Sequence, residues 1–205
     1  GSGRDWARHQ HIPFDIKAAA HWIANAQPTP TDVGLLTFDG HREHFLNIAS
    51  AGLSGVVAQM VNRMPVRRPW TFLEATVRGL LTHQPDVVQV QLDGQDWYEG
   101  KAYLVAVANG STFGHGMKIA PEARTNDGLF DVVLVKGAAK LTLLMALRRV
   151  YDGSHLTHPA VQFGRGKLLR VRGQRGEITL DLDGESARGK ELAFQMQPGL
   201  LHMLG

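Results

Sequence analysis

The order of hydrophobic periods along the chain predicts an α+β fold, a mostly antiparallel, β-sandwich-like domain with about four helices. Helical-period segments are grouped between runs of strands, instead of alternating with each strand as a doubly wound parallel sheet requires. Asp-Gly pairs flanked by alternating apolar residues mark tight hairpins, whose turns need the positive φ that this dipeptide tolerates. A hydrophobic share of 43% in 205 residues is enough for one large core or two small ones.

Pro13 and Asp15 ahead of Ile16, Ala19, Ala20 and Ile23 predict a helix over 13–26. Gln27-Pro28-Thr29-Pro30 ends it, because a residue before proline is pushed out of the α region. Val33–Phe38 and Glu43–Ile48 read as strands around the Asp39-Gly40 turn. Helical spacing returns over 53–63 and 70–82, parted by Met64-Pro65 and Arg68-Pro69. Val88, Val90 and Leu92 then alternate up to a second turn at Asp93-Gly94, followed by Trp97 and the apolar run Tyr103–Ala108. Leu129–Lys136 is a further strand and Leu141–Tyr151 a helix. Val161–Arg172, Glu177–Leu182, Glu191–Met196 and Leu200–Leu204 close the chain as short strands, about nine in all.

The composition removes whole classes of function. With no cysteine there is no disulfide scaffold, thiolate zinc site, iron–sulfur cluster or thiol nucleophile, and a reducing cytoplasm suits the chain. The formal charge of +3 falls short of a nucleic-acid stripe but admits acidic head groups and phosphates. No apolar run is long enough to span a bilayer and the first residues lack a signal-peptide pattern, so a soluble protein with at most peripheral membrane contact is expected. Ten histidines occur without a His-Glu-x-x-His arrangement, and no Gly-x-Ser-x-Gly elbow follows a strand. Arg63, Arg67 and Arg68, and Arg165, Lys167, Arg170, Arg172 and Arg175, are first solvated faces and second an attraction to anionic lipid.

Five Asp-Gly pairs stand at 39, 93, 127, 152 and 183, each in the first place a turn. Two are enriched in further carboxylates. Asn126-Asp127-Gly128-Leu129-Phe130-Asp131 follows Ala120-Pro121-Glu122-Ala123, and Asp181-Leu182-Asp183-Gly184-Glu185 brings three acidic residues into five positions. Carboxylates and carbonyls gathered at a sharp turn are what a hard cation such as Mg²⁺ takes as ligands.

The order of these segments resembles the diacylglycerol kinase-like lipid kinases, a family that includes bacterial diacylglycerol and phosphatidylglycerol kinases, ceramide kinase and sphingosine kinases. Gly1-Ser2-Gly3-Arg4-Asp5-Trp6-Ala7-Arg8 with Ile12-Pro13 is similar to the family's Gly-Thr-Gly-Asn-Asp-Phe-Ala-Arg segment, with Arg4 in place of Asn. Phe45-Leu46-Asn47-Ile48 with Gly52, Ala120-Pro121 through Phe130, Gly153-x-His155-x-x-His158-Pro159 and Leu182-Asp183-Gly184-Glu185 follow in the family's order. The resemblance implies that residues 1–30 are the end of an N-terminal nucleotide-binding domain and 31–205 a C-terminal β-rich lipid-kinase domain. It implies an ATP-dependent transfer of phosphate to a hydroxyl of a diacylglycerol-like lipid, with ATP and Mg²⁺ as cofactors and this piece alone inactive. Glu185, ahead of Asp183, is then the expected base, and Ser2 approaches the nucleotide. Asp127, with the carbonyls of Arg124 and Leu129, would hold Mg²⁺. The expected partner is a lipid at the membrane surface, with the protein cytoplasmic and peripheral, no nucleic acid, and a homodimer admissible. The alternative is a non-catalytic lipid- or anion-binding domain of the same fold.

Overall fold

The computed structural model describes residues 4–66, 68 and 70–204. After α1 (Asp5–His9) and α2 (Ile16–Asn25), the chain enters β1 (Pro28–Phe38), β2 (His41–Phe45) and β3 (Ile48–Gly52). Two helices follow, α3 (Leu53–Asn62) and α4 (Thr71–Thr82), and then β4 (Asp86–Leu92), β5 (Gln95–Ala108) and β6 (Phe130–Lys136). Beyond α5 (Lys140–Ala146) come β7 (Val161–Gly166), β8 (Leu168–Gly173), β9 (Ile178–Leu182), β10 (Glu185–Gly189) and β11 (Glu191–Leu204). All paired strands are antiparallel, in the order β10-β9-β3-β5-β4-β8-β11-β1-β2, with β6 on β5 and β7 on β6. The architecture is the expected mostly antiparallel sandwich, with four helices of seven residues or more among the described residues.

Three Asp-Gly pairs close two-residue hairpins, with both residues at positive φ: 46° and 83° at Asp39-Gly40, 50° and 81° at Asp93-Gly94, 49° and 100° at Asp183-Gly184. The sheet curls around a core that includes Leu36, Phe45, Phe130, Leu134, Leu169, Leu180 and Phe194. Phe45 stacks on Phe130, with centroids 5.7 Å apart, and meets Phe194 edge-on. β5 is buried on both faces, which explains its continuous apolar run. Val105 and Val107 point into this core, whereas Ala106 and Ala108 pack with Ile48, Ile119 and Val133 on the outer face.

The expected strand over 161–172 is two strands with different partners. β7 pairs with β6, while β8 lies between β4 and β11. The break at Lys167 is set by Asp93, whose carboxylate accepts the N–H groups of Lys167 (2.9 Å) and Leu168 (2.8 Å). The segment expected as one strand over 43–48 stops at Phe45 and resumes at Ile48, leaving Leu46 and Asn47 out of the sheet. The two expected C-terminal strands are one, β11, with a register shift opposite Thr31–Val33 in β1. Asp32, 2% exposed, fills that irregularity and accepts the N–H groups of Gly128 and Gly199, both at 2.7 Å. Helix α1 and strand β10 were not expected; both are short and largely polar, without an apolar period to mark them.

Candidate active site

Helix α3 follows β3 directly because Gly52 turns at φ +97°, a conformation closed to most side chains, with the Tyr103 carbonyl against its α-carbon. The helix then lies on β9 at close range. A Cβ on Gly55 would stand 2.7 Å from the Leu180 nitrogen, so only glycine allows this contact. Between the sheet and the roof of α3, α4 and α5 remains a cavity of about 480 Å³. Its walls are apolar: Val57, Ala58 and Val61 from α3, Phe72 and Leu80 from α4, Leu143 from α5 and Leu147 just after it, with Tyr103, Ile119 and Val135. One end is polar, where Asp181, Asp183 and Glu185 of the β9–β10 hairpin meet Asn47, Asn62, Arg4 and Asp5.

The three hairpin carboxylates are placed differently. Ile178, Leu180 and Leu182 face the core, so strand alternation sends Asp181 to the outer, cavity side. It is half-buried between neighbours on both edges, Ser186 of β10 and Ser50 of β3, and accepts the Gly184 N–H at 2.9 Å. Burial, with Asp183 and Glu185 adding their charge, pushes its carboxyl up to about 7. Asp183 sits in the turn and reaches away, accepting N–H bonds from Leu46 (2.7 Å), Asn47 (3.1 Å) and Ile48 (2.9 Å). Glu185 is exposed at the start of the edge strand.

The loop 46–48 is itself tied down. Asn47 donates from its amide to the Thr112 carbonyl, and its own carbonyl receives the N–H groups of Asn109 and Gly110. Asn109 spans the Asp32 and Leu46 carbonyls at 2.8 and 2.7 Å. Helix α1 docks beside this knot: Asp5 accepts the N–H groups of His115 and Gly116, and the His9 ring meets Ser111 at 2.9 Å. Arg4 adopts φ +52°, a left-handed conformation that suits Asn better than Arg, and its guanidinium lies over the Phe14 ring. Ser2 lies outside the described residues.

Asp127 bonds the Leu129 N–H at 3.1 Å and pairs with Arg165, whose Nε also reaches Asp131 at 2.7 Å. Asp131 is 2% exposed; burial raises its carboxyl, Arg165 opposes this, and the charges of Asp127 and Glu122 add to it. Among the described residues no three His, Asp or Glu side chains are grouped to hold a metal ion. A cation here would therefore depend on backbone carbonyls. The charge balance fits one, because a single guanidinium faces the two carboxylates Asp127 and Asp131 and the field of Glu122.

The structure thus gathers Asp183 and Glu185 at the cavity and keeps Asp127 on a separate loop. His155, 3% exposed, lines the cavity and meets the Ile119 carbonyl at 3.0 Å; burial lowers its pKa, in keeping with a structural histidine. Sequence reasoning missed the separate position of Asp181, the clamp formed by Asn47, and Asp32 behind Gly128. For Asp181 a signal existed in the alternation Ile178-x-Leu180-x-Leu182, which assigns the intervening residues to the opposite face.

Comparison with known proteins agrees with this architecture. The chain is 28% identical over 207 residues to the Pseudomonas putida protein named "Probable lipid kinase YegS-like", covering 99% of this chain and 65% of that one. It is 26% identical to a diacylglycerol kinase of Mycobacterium tuberculosis, covering 100% and 66%. The chain thus spans just under two thirds of the length of these relatives. The structure of a diacylglycerol kinase from Bacillus anthracis superposes with a TM-score of 0.69 at 21% identity, covering all of this chain and 64% of that one, a likeness of fold. A further chain from that organism reaches a TM-score of 0.76 at 25% identity, covering 100% and 67%. Residues 47–205 match the profile of the YegS C-terminal NAD kinase beta sandwich-like domain. The chain belongs to that domain family, whose relatives are named diacylglycerol and lipid kinases.

Proposed function

We propose that this chain is the lipid-holding part of an ATP-dependent kinase that phosphorylates a hydroxyl of a diacylglycerol-like lipid. The observation that carries the reading is the cavity, apolar along its walls and carboxylate-lined at one end. An amphiphile with one alcohol fits that polarity, its chains among Val57, Phe72 and Leu147 and its hydroxyl toward the β9–β10 hairpin. Phosphoryl transfer to an alcohol needs the hydroxyl positioned and its proton accepted, which the hairpin carboxylates offer, Glu185 and Asp183 being the pair that the shared motif singles out. Ser2, which lies outside the described residues, is the group that the shared motif assigns to the nucleotide, and Arg4 and Asp5, close to it in sequence, line the cavity.

Mg²⁺ would be held by Asp127 with the carbonyls of Arg124 and Leu129, and when bound it would neutralise charge on the 124–131 loop. Arg165 and Asp131 orient the Asp127 carboxylate, and Asp32 fixes the adjoining Gly128.

Access to lipid is supported by the roof. Trp70 (56% exposed), Leu73 and Leu81 of the α4 region and Leu141 and Met145 of α5 present apolar surface, with exposed Arg63, Arg68, Arg78 and Arg148 around them and Glu74 as a single acid. Such a mixture suits peripheral contact with an anionic bilayer. Among the described residues no helix is long and apolar enough to cross a membrane.

The test is incubation of the full-length protein with γ-labelled ATP, Mg²⁺ and dispersed diacylglycerol. Label is expected in the lipid fraction with the full-length protein and none with these 205 residues alone. An unlabelled lipid fraction with the full-length protein would remove the kinase reading.

A further inference from the structure

Several polar side chains on the cavity walls are engaged within the protein. Thr76 donates its hydroxyl to the Phe72 carbonyl at 2.7 Å, Ser54 accepts the Ser50 hydroxyl at 2.7 Å, and His158 accepts the Ala160 N–H at 3.1 Å. Tyr103 differs. It is 3% exposed and lines the cavity, yet its hydroxyl makes no hydrogen bond among the described residues. A hydroxyl held out of water without a partner costs free energy, and a ligand in the cavity that brings an acceptor offsets that cost.

The chain brings Tyr103 to the cavity through a break in strand alternation. Ala102 and Val105 both face the core, and the β5–β6 register shifts between Ala102 and Leu104. The extra residue of this bulge sets Tyr103 beside Leu104 on the outer face, in a cluster with Leu80, Leu143 and Ala160. Strict alternation would have sent Tyr103 inward with Val105 and Val107. His83 meets the ring edge-on, with centroids 6.5 Å apart, and with the aliphatic neighbours holds it in place. Burial pushes the phenol above its usual pKa, so it stays protonated and available as a donor at neutral pH.

Resting on the kinase reading above, we propose that Tyr103 donates a hydrogen bond to an acyl ester carbonyl of the lipid and so makes the cavity selective for ester-linked over ether-linked chains. Tyr103 stands three residues along β5 from Ala106, which pairs with Ser50 and through it with Asp181 of the hairpin strand. The two backbones are therefore separated by roughly 10 Å along the sheet and roughly 10 Å across it. The tyrosine side chain covers part of that distance. A glycerol unit lying between the phenol and the hairpin offers an ester carbonyl to the one, while its free hydroxyl, a few bonds away, reaches the other. An ether oxygen is a poorer acceptor and leaves the phenol without a full partner. The apolar walls accept the chains of both lipids alike, so the discrimination rests on this donor.

The experiment measures kcat/KM of the full-length protein on dispersed diacylglycerol and on the dialkyl ether analogue of equal chain length, for wild type and Tyr103→Phe. Wild type is expected to prefer the ester by about 3- to 10-fold, and Tyr103→Phe to bring the ratio close to one by losing about that factor on the ester. A tyrosine that only supports the fold would lower both substrates together and leave the ratio where it was. Should Tyr103→Phe fail to fold, Tyr103→Met removes the hydroxyl with a flexible apolar side chain and carries the same expectation. Equal use of the two lipids by wild type, or an ester preference that persists in the variant, overturns the proposal and leaves the kinase reading standing. Phosphorylation of neither lipid by wild type removes both.

Discussion

Asp181 and Asp183 show how two identical side chains, two residues apart, come to stand in different surroundings through strand alternation and turn geometry. The Asp181 carboxyl sits at about 7, above its ordinary 3.8, so the folded chain binds this proton more tightly than the unfolded chain does. The linked stability is therefore full below about pH 4 and is lost as pH rises through 7, by at most roughly 4 kcal/mol at 1.4 kcal/mol per unit. Asp181→Asn removes the change. Urea unfolding should find the variant near wild type at pH 4.5 and more stable by a few kcal/mol at pH 8; equal stabilities at pH 8 would show that the carboxylate is ionised there without penalty. For the two clamps, Asp183→Ala and Asp93→Ala should each cost about 2 kcal/mol, since each leaves backbone N–H groups of a packed loop unpaired. A loss below about 0.5 kcal/mol at either position would mean that water replaces the carboxylate without cost.

Helix α3 is the element on which the cavity depends. Its glycine at position 55 lets the helix settle on the β9 backbone, and a methyl group there meets main-chain atoms of Thr179 and Leu180 that cannot give way. Gly55→Ala is expected to lower stability by about 1–3 kcal/mol by thermal melting, despite the better helix propensity of alanine. A gain in melting temperature would contradict the close approach. Elements like this helix were legible in the sequence because one face carries Val57 and Val61 at helical spacing. The hairpins at Asp39, Asp93 and Asp183 were legible because a two-residue turn needs positive φ twice. What the sequence hid depends on long-range partners. The break between β7 and β8 is made by Asp93, and the pause at Leu46-Asn47 by Asp183, each far away in the chain. Strand β10 is held by its pairing with β9 and carries no apolar alternation of its own. At the site, the motif made Asp183 and Glu185 visible, whereas the burial that sets Asp181 apart exists only once β9 is flanked and α3 is in place.

Across the whole molecule, the apolar-walled cavity and the 124–131 loop, proposed above to hold lipid and cation, are joined through Asn109, Asp32 and the 46–48 loop. A hard cation held by one carboxylate and two carbonyls binds weakly, so its occupancy should follow concentration. Millimolar Mg²⁺ is expected to raise the melting temperature of the full-length protein, and Asp127→Ala should abolish that rise at low Mg²⁺ while leaving the fold intact. Equal Mg²⁺ responses in both proteins would return Asp127 to its ion pair with Arg165 as its whole role. The central claim is that the cavity holds the acyl chains with the hydroxyl at the hairpin. Photo-crosslinking of the full-length protein by a diacylglycerol carrying a photoreactive group in one acyl chain, followed by mapping of the labelled peptides, tests it most directly. Label is predicted on the cavity-facing residues of α3, α4 and α5, at Val57, Phe72 or Leu143, and competed by unlabelled lipid. Competable label confined to other surfaces would contradict it.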